Sequence, residues 1–373
     1  MAATTDEFSF IHQYFTNLNP QFASQAKDLG LVVGIGDDAA VLELNGTFVL
    51  TTDTLVEKVH FFSEITPRLL GSRVLDVNFS DVYAMGALPC FATLSLEIPS
   101  AYRDNPAFWA EFSAGLNECL TRHKCALIGG NITHTEGTLA ISVTVIGKTV
   151  QPKQVWLRSG AQVGDYICLA GEVGTNGLFV DSTYKQTIKA LPESERLAFE
   201  KLAYTYPAHM RKLVEVLAPL CHCAIDVSDG VYGDCTHILQ HSRCCGEVWP
   251  HAFALNPWVE QHLDQLWQQK KDFAYQAGTF GGDYNLLFTM SPVAWRLFAT
   301  ERTKQPLLRE IPVRRIGRIT VKFEGDAKEV AQAAMSEGNS LATARNLLLL
   351  KSRGGSYMDL PESLSYNHFS SEQ

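Results

Sequence analysis

Gly34-Ile35-Gly36-Asp37-Asp38-Ala39-Ala40-Val41-Leu42 sets two glycines ahead of two adjacent aspartates and an apolar tail. Adjacent side chains on an extended chain point to opposite sides, so one acid can face a site while the other faces solvent or backbone. Taken alone, the pattern also fits an acidic turn between strands. It gains weight from similar short motifs that follow: Thr51-Thr52-Asp53-Thr54, Asn78-Phe79-Ser80-Asp81, Gly129-Gly130-Asn131, Asp226-Val227-Ser228-Asp229-Gly230 and Gly281-Gly282-Asp283. Each sets a carboxylate or its amide at the end of an apolar run or beside glycine. Backbone N–H groups and side chains at such places are free to meet a ligand.

The 373 residues suggest two domains of ordinary size, and a hydrophobic content of 46% is ample for their cores. A net charge of −9 argues against non-specific binding of nucleic acid. Residues 1–10 are polar and acidic, unlike a secretory signal, and no apolar run reaches the length of a membrane span. The expectation is a cytoplasmic protein with reduced thiols, away from membranes. Cys221, Cys223, Cys235, Cys244 and Cys245 lie close together in sequence. Cys-His-Cys at 221–223 has no second pair at finger-like spacing, so these thiols read as buried or incidental.

Phe8, Ile11, Tyr14, Phe15 and Leu18 recur at helical spacing and open the chain with an amphipathic helix. A short strand at 48–52 runs into Asp53. Pro67 starts a helix with Asp81 in its later half. A strand at 91–98 and a helix at 106–122 follow. A buried strand at 126–128 ends at Gly129-Gly130, and residues 138–149 alternate as a half-buried strand. A join at 150–163 contains Pro152. Beyond it come strands at 166–170, 224–227, 286–290 and 314–320. Helical stretches are expected at 194–220, from Asp229-Gly230 to Gln240, and at 327–350, with 351–361 loop-like. Gly147-Lys148-Thr149 imitates the end of a phosphate-binding loop, but position 142 is serine and Pro152 follows instead of a helix.

Asp38, Asp53, Asp81, Asp226 and Asp229 each fall where a loop meets an element. If they converge, two unit charges about 4 Å apart repel by roughly 4 kcal/mol at an effective dielectric near 20. Several such pairs would consume a domain's whole stability margin of about 5–15 kcal/mol. Hard divalent cations would relieve that repulsion, and magnesium bridged to nucleotide phosphates is the usual case. Glycine-rich turns supply N–H groups for phosphate oxygens. The residues thus point to magnesium-dependent phosphoryl transfer, in which positioning and charge neutralisation dominate. On spacing alone, scattered loop acids fit equally well.

The ordered motifs resemble the thiamine-monophosphate kinases, of the ATP-binding superfamily that includes aminoimidazole ribonucleotide synthetase and selenophosphate synthetase. The likeness runs through 34–42, Thr51-Thr52-Asp53-Thr54-Leu55-Val56-Glu57-Lys58-Val59-His60-Phe61, 77–89, 127–131, Leu157-Arg158-Ser159-Gly160-Ala161, 224–231, 283–288, Ile316-Gly317-Arg318-Ile319 and 366–369. No cysteine precedes Cys90, which counts against a selenophosphate synthetase. The resemblance implies an α+β chain of two domains, each a mixed sheet with helices. Residues 1–150 would bind ATP and magnesium and carry dimerising strands; 151–373 would complete the nucleotide and substrate site. It implies direct transfer of the γ-phosphoryl of ATP to thiamine monophosphate, with magnesium and without a covalent intermediate, in a homodimer. By motif position, Asp38, Thr51, Thr52, Asp53, Asp81, Asn131, Asp226 and Asp229 would line magnesium. Gly130, Asn131, Arg158 and Ser228 would meet ATP, and His60, Gly282 and Tyr366 the substrate.

Three departures stand out. The family's Gly-Gly-Asp is Gly129-Gly130-Asn131, so a metal carboxylate becomes a neutral amide. Its Gly-Gly-Glu-Asp-Tyr-Glu is Phe280-Gly281-Gly282-Asp283-Tyr284-Asn285 without gaps, which puts Gly282 and Asn285 where glutamates are expected. The segment 327–350 is longer than the family needs. A sister ATP-dependent enzyme acting on another small molecule, or a nucleotide-binding protein with reduced catalysis, are the alternatives.

Overall fold

The computed structural model describes residues 7–267, 273–322 and 347–361. Two units separate by their internal contacts: Met1–Gln154 with Tyr204–Arg211, and Val155–Ala203 with Lys212–Gln373.

The first unit holds strands β1 (Leu31–Val33), β2 (Val41–Leu42), β3 (Phe48–Val56), β4 (Ala87–Pro99), β5 (Ala126–Thr135) and β6 (Ala140–Thr149). β1 and β2 pair by themselves. The others form a mixed sheet in the order β3-β6-β4-β5, with only β4 and β5 parallel. Period-two patterning decides its faces. Ile141, Val143 and Val145 of β6 are buried, while the residues between them are half-buried. Helices Pro67–Ala84 and Pro106–His123 pack on each other and supply the apolar partners Leu70, Val74, Trp109, Phe112 and Leu116. Proline in the first turn of each has no N–H to leave unsatisfied. Asn105 Oδ1 accepts from the Phe108 N–H at 3.0 Å, and Lys124 in the left-handed region stops the second helix.

The helices meet backbone to backbone. A β-carbon on Gly71 would overlap the Phe112 carbonyl, and one on Gly115 would overlap the Arg68 carbonyl. The segment Tyr204–Arg211 adds side chains to this unit. Tyr206 stacks on Tyr83 with ring centroids 6.3 Å apart, and Arg211 Nη1 donates to the His123 carbonyl at 2.8 Å.

The second unit is built on β7 (Tyr166–Ala170), β8 (Cys223–Val227), β9 (Cys244–Val248), β10 (Asn285–Met290), β11 (Val313–Lys322), β12 (Leu348–Lys351) and β13 (Tyr357–Met358). They order as β13-β12-β9-β11-β7-β10-β8, and only β12 and β9 run parallel. β8 and β10 are buried throughout, with Asp226, Asn285 and Thr289 among their buried residues, so neither strand alternates. Helix Val231–Ser242 packs on β8 and β9.

Several boundaries differ from the sequence expectations. β3 continues through Asp53 to Val56, and β5 continues through Gly129-Gly130-Asn131 to Thr135, because paired neighbours carry polar and glycine positions that propensity alone would end. The expected helix at 194–220 is two helices, Glu193–Tyr204 and Met210–Leu217, interrupted at Pro207. Of the expected helix at 327–350, residues 327–346 lie outside the described residues, and 348–350 belong to β12. The expected loop at 351–361 contains β13. No helix among the described residues is long and apolar enough to cross a membrane. All nine cysteines are free, and every one but Cys245 is buried.

Candidate functional site

In the first unit, Thr51 and Asp53 share one side of β3, two residues apart. That side faces helix Pro67–Ala84. Thr51 Oγ1 donates to Asp81 Oδ2 at 2.6 Å, and the Asp53 N–H donates to Asn78 Oδ1 at 3.0 Å. Asn78 is itself anchored by Nδ2 donating to the Val74 carbonyl at 3.1 Å. Burial, reinforced by the neighbouring Asp81 charge, pushes the Asp53 carboxyl up to about 6. The sequence motifs therefore do place two acids and a hydroxyl together. Their donors are all oxygen and their excess charge is negative, which suits a hard cation such as magnesium.

The sign of the pH dependence follows. The folded-state value of about 6 lies above the ordinary 3.8, so the folded chain takes up a proton first. The stabilisation is complete below the unfolded value and is lost as pH rises through the folded one. In chelator, Asp53→Asn should melt above the parent at about pH 7.5, with the gap closing by about pH 4. Melting curves at the two pH values test this; an unchanging gap would mean that Asp53 carries no penalty.

Thr52 points to the other side of β3. Thr144 Oγ1 donates to Thr52 Oγ1 at 3.1 Å, and Thr54 pairs with Ser142 at 2.7 Å. The register extends these pairs into rows across the sheet: Thr52, Thr144, Thr93 and Gly129, then Thr54, Ser142, Ser95 and Asn131. This hydroxyl-rich face lines a cleft of about 700 Å³ in the first unit. Its walls include Gly36, Asp38, Gly130 and Asn131, with Ile11 and Phe15 from the start of the chain. Asp38 is exposed, and its N–H donates to Asp37 Oδ1 at 2.8 Å. A β-carbon at Gly130 would overlap the Leu94 carbonyl, so only glycine fits there.

The structure thus separates what the motifs pool. Asp53 lies in the register row of Val143, Leu94 and Gly130, whereas Asn131 lies in the next row, pointing oppositely. β3 and β5 are opposite edges, three interstrand spacings apart, on the order of 14 Å. Asp53 and Asn131 of one chain cannot ligate one ion. His60 sits in the turn after β3, where its Nδ1 accepts the Val56 N–H at 3.0 Å and leaves the proton of the neutral ring on Nε2.

In the second unit, Asp226 is the penultimate residue of β8 and is buried, while Ser228 and Asp229 follow the strand into the turn before helix Val231–Ser242. Gly230 holds φ of 120°, a value open to glycine. Gly282 donates its N–H to the Ser228 carbonyl at 2.7 Å, which ties the second glycine motif to this turn. Asp234, which the motifs do not single out, accepts from the Asp229 N–H at 3.2 Å. Burial and then the Asp229 charge push its carboxyl up to about 7. The signal in the sequence is an acid one turn into the helix after Asp229-Gly230. Arg158 is exposed, and its carbonyl accepts from Ser242 Oγ at 2.9 Å. The Asp283 carboxylate accepts from Gly174 N at 2.6 Å and Asn176 N at 3.1 Å. Asp283 thereby caps helix Thr175–Tyr184, so those N–H groups are already engaged. Tyr366 lies outside the described residues.

The AIR synthase related protein N-terminal domain matches residues 36–149. Thiamine-monophosphate kinase of Buchnera aphidicola subsp. Acyrthosiphon pisum is 32% identical over 295 residues, spanning 76% of this chain and 83% of the relative. The chain belongs to the thiamine-monophosphate kinase family. Among solved structures, thiamine-monophosphate kinase from Stenotrophomonas maltophilia is 29% identical with a TM-score of 0.69, covering 82% of this chain and 94% of that one. AaThiL complexed with AMPPCP and TMP is 25% identical with a TM-score of 0.66, covering 94% and 97%. The family likeness thus extends over both units.

Proposed function

We infer that this protein transfers the γ-phosphoryl group of ATP to the phosphate of thiamine monophosphate, giving ADP and thiamine diphosphate. It is a phosphotransferase with a phosphate group as acceptor. Membership of the kinase family carries this reading, with the cluster of Thr51, Asp53 and Asp81 as its local support. Magnesium, when bound, would neutralise charge building on the phosphate oxygens. We assign Thr51, Asp53 and Asp81 to one cation-binding group, and Asp38 and Asn131, which line the cleft, with Thr52 to further magnesium contacts by motif position. Asp226 and Asp229 are assigned to magnesium by motif position. Gly130 is assigned to ATP by motif position, and Arg158 can grip phosphate with a forked pair of N–H groups. Ser228 and Asn131 complete the nucleotide set. His60, with its Nε2 proton, Gly282 and Tyr366 are assigned to the thiamine ligand. We assign the first unit to nucleotide and metal binding, and the free thiols support a cytoplasmic setting.

Product analysis with ATP, magnesium and thiamine monophosphate tests the reading. Thiamine diphosphate and ADP should appear in equal amounts. ADP release with formylglycinamidine ribonucleotide or selenide, and none with thiamine monophosphate, would move the protein to a sister reaction. Tight ATP binding without turnover would point to reduced catalysis, as the neutral Asn131 suggests.

Asn131→Asp should lower the magnesium concentration for half-maximal rate by up to about tenfold, because a full charge replaces an amide oxygen. The KM for thiamine monophosphate should move much less. A magnesium titration read beside melting temperatures checks both. An unchanged requirement with an intact fold would remove Asn131 from the metal set.

We also propose a homodimer formed by sheets of the first unit. Leu50 is 71% exposed on the hydroxyl-bearing face, an apolar side chain that a second copy of the sheet would cover. Light scattering across micromolar concentrations should report twice the chain mass; a monomer throughout would sink this.

A further inference from the structure

Asp76, Cys119 and His123 bring a carboxylate, a thiol and an imidazole together in the interior of the first unit. Cys119 and His123 lie one turn apart on helix Pro106–His123, so they share a face. Asp76 comes from helix Pro67–Ala84, five residues past the Gly71 crossing. The ligating atoms all lie within 4.8 Å of one another. His123 is 0% and Asp76 1% exposed.

Hydrogen bonding alone does not satisfy this group. Cys119 Sγ donates to Asp76 Oδ1 at 3.2 Å, a weak donor for a buried carboxylate. Asp76 Oδ2 and His123 Nε2 are both buried without a hydrogen-bond partner. Nε2 stands 3.4 Å from Oδ1 yet makes no hydrogen bond to it. Meanwhile Nδ1 lies 2.7 Å from the Tyr83 hydroxyl. If Nδ1–H donates to Tyr83, the Nε2 lone pair faces the carboxylate, and the two repel unless a cation sits between them. Arg211 directs Nη1 to the carbonyls of His123 and Pro89, at 2.8 and 3.3 Å.

We propose that Asp76, Cys119 and His123 form a structural site for a divalent transition metal, zinc by the mixture of donors. Thiolate, imidazole nitrogen and carboxylate oxygen are the ordinary zinc ligands, and Asp76 Oδ2 offers a fourth donor. Charge balances: a thiolate, a carboxylate and a neutral imidazole with a dication sum to zero, which suits a dry interior. On binding, the Cys119 S–H bond breaks, the proton leaves to solvent and sulfur donates its electron pair to the metal. Tyr83, with its hydroxyl 2.7 Å from Nδ1, can accept from Nδ1–H and so favour the tautomer that presents Nε2. The site would pin the helix that carries Asn78 and Asp81 against its neighbour. It is separate from the oxygen-only group at Asp53 and does not depend on which reaction that group serves.

The test uses the full chain produced in zinc-depleted, cobalt-supplemented medium and freed of loose metal by a chelator. The expected result is about one cobalt per chain with a thiolate-to-cobalt charge-transfer band, since four-coordinate sites of this donor type take cobalt. Cys119→Ser should abolish the band and lower retained metal at least about tenfold, and Asp76→Asn should lower retention similarly. The parent should also melt higher with metal than after denaturing removal of it. Absence of the band in the soluble, folded parent overturns the proposal, as does an equal band in Cys119→Ser. Because the readout is spectral, loss of kinase activity for another reason leaves it unaffected.

Discussion

Asp53→Ala is expected to lower turnover of thiamine monophosphate by at least about 100-fold, the scale of removing one group that stabilises transition-state charge. The fold should survive and even gain. Asp53 is held near Asp81 at the expense of its own ionisation, and its carboxyl is pushed up to about 6. Deleting it removes that repulsion. The loss should fall on the rate at saturating substrate more than on the KM for thiamine monophosphate, because the thiamine ligand is assigned to His60, Gly282 and Tyr366. Steady-state kinetics over a magnesium series, beside melting curves, checks this. Near-normal turnover at low magnesium would remove Asp53 from the metal group.

Gly115→Ala should have the largest effect on stability. A methyl group there meets the Arg68 carbonyl, which is backbone of a packed helix and cannot rotate away. Overpacking of this kind costs about 1–3 kcal/mol, and a backbone obstacle places it at the upper end. Alanine returns about 1 kcal/mol through helix propensity. The net loss of about 2 kcal/mol corresponds to roughly 4–8 °C in Tm for a unit of this size. Gly115→Ser should do no better, since any β-carbon meets the same oxygen. Thermal and urea unfolding measure the loss; a stabilised variant would mean that the helices do not meet backbone to backbone at Gly71 and Gly115.

How much of this is legible in the chain depends on what each residue signals locally. Pro67 and Pro106 announce their helices because the missing N–H is harmless only in a first turn. The alternation of Ile141, Val143 and Val145 marks β6 because one face is buried. Thr51-Thr52-Asp53-Thr54 conceals the continuation of β3, since a run of polar residues on both faces looks like the end of a strand. Gly129-Gly130 hides β5 likewise: Gly130 is there for close approach to β4, not for a turn. The placement of Asp53 beside Asp81 is readable as a shared charge problem. The opposite orientation of Asn131 is not, because it rests on register across four strands. Asp283 looks like a site acid and is instead a helix cap, which requires a partner more than 100 residues distant in sequence. Cys244–Val248 is hard to see as a strand because a glycine and a glutamate interrupt its short apolar run.

The excursion of Tyr204–Arg211 into the first unit bears on synthesis. A ribosome completes residues 1–154 well before it makes Tyr206 and Arg211, which stack on Tyr83 and bind the His123 carbonyl. At about 5–20 residues per second, the nascent first unit waits several seconds for these side chains. During that interval the buried Tyr83–His123 region lacks its cover, so the emerging chain is open to chaperones and proteases there. Folding of the first unit is therefore tied to translation of the second, and pausing between codons 155 and 211 would lengthen the exposed period.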